Sequence, residues 1–242
     1  MIDVPFRIVG KPRFGGILVV SDHASNRVPE GIDLDIDPGL LDDHVAIDIG
    51  VAGVAERMAE RPGIAAFLAD VSRLVCDFNR DEGSPTIVPH TSDGHWIPGN
   101  ALDDAGLQER LDLFYRPYHA GLAQLLNLAP PALILSLHSF TPGLKSQPEE
   151  LRPWHVGVLY NEDERAAGLA IPLLEAEGLT VGDQQPYSGK QLNATMNRHA
   201  EAEGRPYLGI EVRQDQIADA VGQTMWAERL ARIANEVALK LE

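Results

Sequence analysis

Apolar positions in this chain follow two spacings. Short apolar runs bounded by glycine or proline read as buried strands, and longer stretches with apolar residues every third or fourth position read as helices. Residues 16–21 (GILVVS) form such a run after a glycine pair, and 132–137 (ALILSL) follow Pro130 and Pro131 and read as a central strand. Residues 64–68, 74–78, 155–160 and 207–212 complete the predicted strands. Between them lie predicted helices over 43–59, carrying Val45, Ile49, Ala52 and Met58, over 106–128, and over 162–177 after a polar start at Asn161. A last helix over 222–241 puts Trp226, Leu230, Ile233 and Val237 on one face. Strands alternating with helices predict an α/β fold, a three-layer sandwich whose central sheet is mixed and largely parallel. In such sheets the chemistry gathers at the carboxyl ends of the strands.

With 242 residues, 44% of them hydrophobic, the chain is long enough for a sizeable core, and without a repeat or linker it reads as one domain over 1–242. No apolar run approaches the roughly 18 residues needed to cross a bilayer, and residues 1–14 lack the basic and apolar regions of a secretory leader. The single cysteine, Cys76, excludes an internal disulfide and reads as buried and inert. The expectation is a cytoplasmic protein with no membrane partner. The formal net charge of −16, from 20 basic against 36 acidic residues, argues against nucleic-acid binding, which needs clustered Lys and Arg. A local basic pocket for a small anion remains compatible with that charge.

Two histidines end predicted strands: His23 just beyond GILVVS and His138 at the end of ALILSL. Imidazoles at such positions can point into the crevice and ligate zinc, or can serve as capping and hydrogen-bonded side chains. Catalytic zinc commonly keeps three protein ligands and one open position, so a third is required. His44, at the start of a predicted helix, is the candidate, with Asp43 and Asn26 as rivals; Asp42 and Asp43 also read as acids at a helix N-terminus. In the run Asp77-Phe78-Asn79-Arg80, the guanidinium offers a two-pronged grip on a carboxylate and the amide a further donor, with Arg73 able to reach the same cleft. The alternative for these arginines is a surface ion pair. Glu211 lies inside the apolar run YLGIEV, where an acid needs a partner: a metal-bound water to activate as general base, or Arg213 or Arg73 as an ion pair. His119 reads as structural or pocket-lining, and His90 and His95 flank a loop that could form a lid. His155 starts a strand, and Thr195 and His199 share a helix face.

Taken in order, His23–Pro29 (HASNRVP), 43–50 (DHVAIDIG), 72–80 (SRLVCDFNR), 116–119 (RPYH), 137–142 (LHSFTP) and 210–215 (IEVRQD) resemble the N-formylglutamate amidohydrolase family across about residues 15 to 235. That family is similar in turn to the zinc carboxypeptidases and to the aspartoacylase and succinylglutamate desuccinylase group. The resemblance implies an α/β enzyme holding one zinc ion (or another divalent metal) and hydrolysing a small N-acyl amino acid such as N-formylglutamate. It assigns zinc to His23 and His138, the substrate carboxylate to Asn79 and Arg80, polarisation of the scissile carbonyl to Arg73, and activation of water to Glu211. The wider group pairs its first histidine with a glutamate three residues on, where this chain has Asn26. N-formylglutamate amidohydrolases also lack that glutamate and carry an aspartate near the place of His44, which makes His44 the expected third ligand. The form HASNRVP differs from the HSG form of the family's deformylases and points to a divergent branch. A carboxypeptidase or amidase acting on a peptide or cell-wall fragment, and a metal-free binding relative, are the alternative functions.

Overall fold

The structure is a computed structural model that describes residues 4–241; the outermost residues of the 1–242 span and of the stretch read for a leader, 1–3 and 242, lie outside it. Its strands are β1 (Phe6–Gly10), β2 (Ile17–Ser21), β3 (Ile64–Ala69), β4 (Thr91–Ser92), β5 (His95–Trp96), β6 (Leu133–Phe140), β7 (Val156–Leu159), β8 (Val181–Asp183) and β9 (Tyr207–Arg213). The α-helices are α1 (Val51–Ala59), α2 (Asp104–Arg110), α3 (Arg116–Leu128), α4 (Arg165–Ala176), α5 (Ala194–His199) and α6 (Ala220–Leu241). A π-helical turn, Leu111–Tyr115, joins α2 to α3. Seven strands form one sheet in the order β1-β3-β2-β6-β9-β7-β8, and β4 and β5 make a separate hairpin. The four central strands run parallel, while β1 on β3 and β7 on β9 are antiparallel, so the sheet is mixed and largely parallel as predicted. No helix among the described residues is long and apolar enough to cross a membrane.

Alternation along the strands decides which layer each side chain enters. Ile17, Val19, Leu135, Leu137, Leu208 and Ile210 pack into one core with residues of α1, α4 and α6. Leu18, Val20, Phe67, Ile134 and Tyr207 pack into the other, against Tyr118 and Leu122 of α3 and Met196 of α5. Continued two residues at a time, the second parity reaches Asp22 after β2, His138 in β6 and Glu211 in β9. His138 and Glu211 are register partners on adjacent parallel strands. The sheet itself therefore sets two of the candidate side chains next to each other at its carboxyl edge.

Several elements depart from the pattern. Edge strands β1 and β8 were not predicted, being short and only partly buried. The apolar run 74–78 is not a strand: it curls, with Val75 N and Cys76 N both bonded to Ser72 O. The carbonyls that a ladder would use are taken by side chains, Leu74 O by Asn100 Nδ2 and Val75 O by Arg110 Nη1. Its apolar character reflects burial in the second core rather than extension. The predicted helix over 43–59 begins only at Val51, so Asp42 and Asp43 are not acids at its N-terminus.

Residues 43–50 are irregular, and Gly50 ends them in a left-handed turn, φ +84°. A Cβ at this position would lie 2.1 Å from the carbonyl oxygen of Ile217. The turn lets Asp48, bonded through its N–H to His23 O, sit beside the strand end while α1 departs below. Gly50→Ala should therefore destabilise the protein by at least about 2 kcal/mol, the left-handed penalty of roughly 1–2 kcal/mol plus a backbone collision. Urea unfolding reads the change, and an unmoved midpoint would mean that this turn gives way freely.

Candidate functional site

A cleft of about 260 Å³ opens at the carboxyl edge of the sheet. At its base, His23, Asp48 and His138 are buried together, with donor atoms all within 4.8 Å of one another. Asp48 Oδ2 lies 3.3 Å from His23 Nδ1 and 2.8 Å from His138 Nδ1. A tetrahedral ion with bonds of about 2.0–2.1 Å requires donor separations of roughly 3.4 Å, close to these spacings. Two imidazole nitrogens and a carboxylate oxygen are also a chemically apt set for zinc. Behind His23, Asp77 Oδ1 accepts from Nε2 at 2.8 Å, which turns Nδ1 toward the group. Behind His138, Nε2 faces Asp22 Oδ2 at 3.5 Å.

Four acids and two histidines in so little space make the electrostatics strong. Burial alone would push the Asp48 carboxyl up, but the charges and hydrogen bonds of His23 and His138 outweigh it and hold the group well below the usual range. Asp77 is likewise held low, against its burial, by Arg73 and His23. Burial opposes charge on His138, yet Asp22 and Asp48 on its two sides raise it well above its ordinary value. Glu211 goes the other way: burial, opposed by His138 and reinforced by Asp48, raises it to about 7. Its Oε2 is buried with no hydrogen-bond partner among the described residues. Between its ordinary pKa and about 7 the folded chain keeps a proton that the unfolded chain has released, so Glu211 contributes less to stability as pH rises through that window.

The other predicted residues are distributed as follows. Arg73 lines the cleft and bridges two acids, Nη1 to Asp48 Oδ1 at 3.2 Å and Nη2 to Asp77 Oδ2 at 3.0 Å. Asn79 and Arg80 line it too. Thr195 N donates to Asn79 Oδ1 at 3.1 Å, and Arg80 Nη1 donates to Asn79 O at 3.0 Å. His44 is in the cleft wall but not in the buried donor group, where Asp48 stands instead. Its Nε2 is 3.1 Å from Asp93 Oδ2 and its Nδ1 pairs with Asp43. The rivals are elsewhere: Asn26 Nδ2 donates to Asp42, and Asp43 holds His44 and Lys145. The loop flanked by His90 and His95 forms the β4–β5 hairpin, and Ser92 and Asp93 at its tip line the cleft. Hydrogen bonds from Ser146 and Lys145 outweigh burial and hold Asp93 at about 2.

His119 and His199 lie outside the cleft, fully buried and 2.9 Å apart, with His119 Nε2 on Phe78 O at 3.1 Å. Burial and the neighbouring charges lower them to about 3 and about 4. His199 and Thr195 are both buried on α5, matching their shared face, and Cys76 is buried with its thiol pushed up by burial.

Sequence reasoning missed Asp22, Asp48, Asp77 and Tyr187. Asp48 sat inside a supposed helix; the signal was the glycine two residues on, where the helix starts. Asp22 and Asp77 flank residues that were singled out. Tyr187, which lines the cleft and accepts from Arg152 Nη1 at 3.0 Å, lies in a loop without a pattern.

The family model of N-formylglutamate amidohydrolases matches residues 15–218. No curated protein matches the chain. Among solved structures, a gene product of Agrobacterium tumefaciens is similar with TM-score 0.89 and 28% identity, covering 98% of this chain and 96% of that one. An N-formylglutamate amidohydrolase from Ralstonia eutropha is similar with TM-score 0.73 and 20% identity, covering 99% and 98%. A bacteriophage poly-gamma-glutamate hydrolase follows with TM-score 0.51 and 14% identity, covering 100% and 93%. The last two likenesses speak to the fold. The sequence match, running from the strand before His23 to beyond Glu211, establishes that this chain belongs to the N-formylglutamate amidohydrolase family.

Proposed function

We propose that the chain is a zinc-dependent amidohydrolase that cleaves the amide bond of a small N-acyl amino acid such as N-formylglutamate. The observation that carries this reading is the buried donor group His23–Asp48–His138 opening into the cleft that Glu211, Asn79 and Arg80 also line. The donor spacing, with the buried and unpartnered Oε2 of Glu211 beside it, fits a divalent ion. Zinc held by these three side chains supplies a Lewis acid that lowers the pKa of water and polarises an acyl oxygen.

The remaining work falls to the protein's own groups. Glu211, with a pKa near neutrality, takes a proton from the attacking water and returns it to the leaving amine. Arg73 supplies positive charge for the developing oxyanion while its contacts with Asp48 and Asp77 keep it still. Arg80 and the Nδ2 of Asn79 hold the substrate carboxylate, fixing the amide over the donor group. Thr195 supports this by occupying Asn79 Oδ1 and so orienting the amide. The cleft, about 260 Å³ with the hairpin tip drawn against it, supports a small substrate over a peptide or cell-wall fragment, since pockets for larger ligands run from about 300 to 1,000 Å³.

Protein purified without chelator should carry about one zinc per chain, and His23→Ala, Asp48→Ala and His138→Ala should each lose it; elemental analysis decides. A wild type that neither holds nor takes up zinc would remove the mechanism. Glu211→Gln should lower kcat by about 10²–10⁴ while retaining the metal. In the metal-free protein, carbon-13 NMR should find the Glu211 carboxyl protonated below about 7 and ionised above it. Arg80→Ala should raise KM for N-formyl amino acids and leave turnover of an uncharged formamide nearly unchanged. Equal loss on both substrates would sink the carboxylate role.

A further inference from the structure

Asp22 is completely buried and appears in no step described so far. Its Oδ1 accepts from the Tyr118 hydroxyl at 2.7 Å and from Thr195 Oγ1 at 3.0 Å. Its Oδ2 has no hydrogen-bond partner among the described residues and faces His138 Nε2, which has none either, across 3.5 Å. Two hydroxyls thus fix one end of the carboxylate, and the other end is aimed at the back of a histidine whose Nδ1 points into the donor group.

We propose that Asp22, clamped by Tyr118 and Thr195, is a positioning residue that keeps the proton of His138 on Nε2 and so leaves Nδ1 free to ligate a metal ion. The inference rests on the zinc reading above and adds to it the device that prepares one ligand. Without metal, carboxylates face both ring nitrogens, Asp48 at Nδ1 and Asp22 at Nε2; with Nδ1 given to a metal ion, the single imidazole proton has Asp22 Oδ2 to go to, and since a carboxylate can only accept, it stays on Nε2. Asp22→Asn reverses that selection at almost unchanged volume. With the Tyr118 and Thr195 hydroxyls still donating to Oδ1, the amide NH2 takes the place of Oδ2 and offers hydrogen to Nε2. His138 can accept only with its proton moved to Nδ1, which blocks the ligating nitrogen.

The test is zinc affinity, measured by competition with a chelator on the full chain, together with the melting temperature of the metal-free protein. Asp22→Asn should raise the zinc dissociation constant about 10–100-fold, the range for removal of a carboxylate behind a ligating histidine. Thr195→Val and Tyr118→Phe, which loosen the clamp without touching Asp22, should weaken zinc in the same direction by less, and Thr195→Ser should restore it. In the zinc-loaded wild type, nitrogen-15 NMR should find the His138 proton on Nε2. Wild type and Asp22→Asn binding zinc equally well would overturn this inference alone. So would melting temperatures that fall in the clamp variants while zinc affinity does not. A wild type that binds no zinc would overturn both this inference and the reading beneath it.

Discussion

A carboxylate with 4% of its surface exposed has to be surrounded by donors, and the site is built around meeting that demand at Asp48. His23 and His138 reach it through their Nδ1 atoms, Arg73 through Nη1 and Ser139 through its backbone N–H. These donors come from three separate stretches of chain: the segment just after β2, two consecutive residues of β6, and the segment that follows β3. One buried charge therefore ties together segments that are far apart in sequence. It also explains why the segment before α1 is irregular, since a helix through 43–50 would carry Asp48 along its own axis rather than hold it against His23 O.

The parallel core of the sheet does the complementary task. Register between β6 and β9 sets His138 beside Glu211, and register between β2 and β6 brings the end of β2, with Asp22 and His23, toward the same edge. The alternation that sends Leu137 and Ile210 into one core sends their neighbours His138 and Glu211 to the other side. A one-residue slip of either strand would exchange apolar and cleft-lining side chains between layers. Packing of the core and assembly of the site are thus the same event, and the site needs no separate scaffold.

Much of this was legible in the chain. Five of the six predicted strands and all the long helices after residue 100 follow from the apolar pattern, because each buries a continuous apolar face. His23, His138 and Glu211 were visible because polar residues at the ends of, or inside, apolar runs demand an explanation. The curl at 74–78 was misread because apolar burial and β-extension leave the same trace in a short window; only the side chains of Asn100 and Arg110, distant in sequence, decide between them. Asp48 was misread for a related reason. An acid one turn after His44 in an amphipathic window looks like the solvated face of a helix, and the contacts that contradict this come from β2, β6 and the segment after β3.

Behind the cleft, the Phe78 carbonyl can only accept, so the His119 Nε2 facing it must carry a hydrogen. His119 Nδ1 is then bare and must accept in its turn, which requires His199 Nε2 to donate. One backbone oxygen in this way dictates the polarity of two rings in succession, and no mirror arrangement of the same hydrogens exists. Such a relay has no degenerate partner state, so the order of hydrogens from α5 through α3 to the Phe78 carbonyl runs in one direction. Thr195 lies on α5 as well, and its own hydroxyl touches the same Phe78 oxygen.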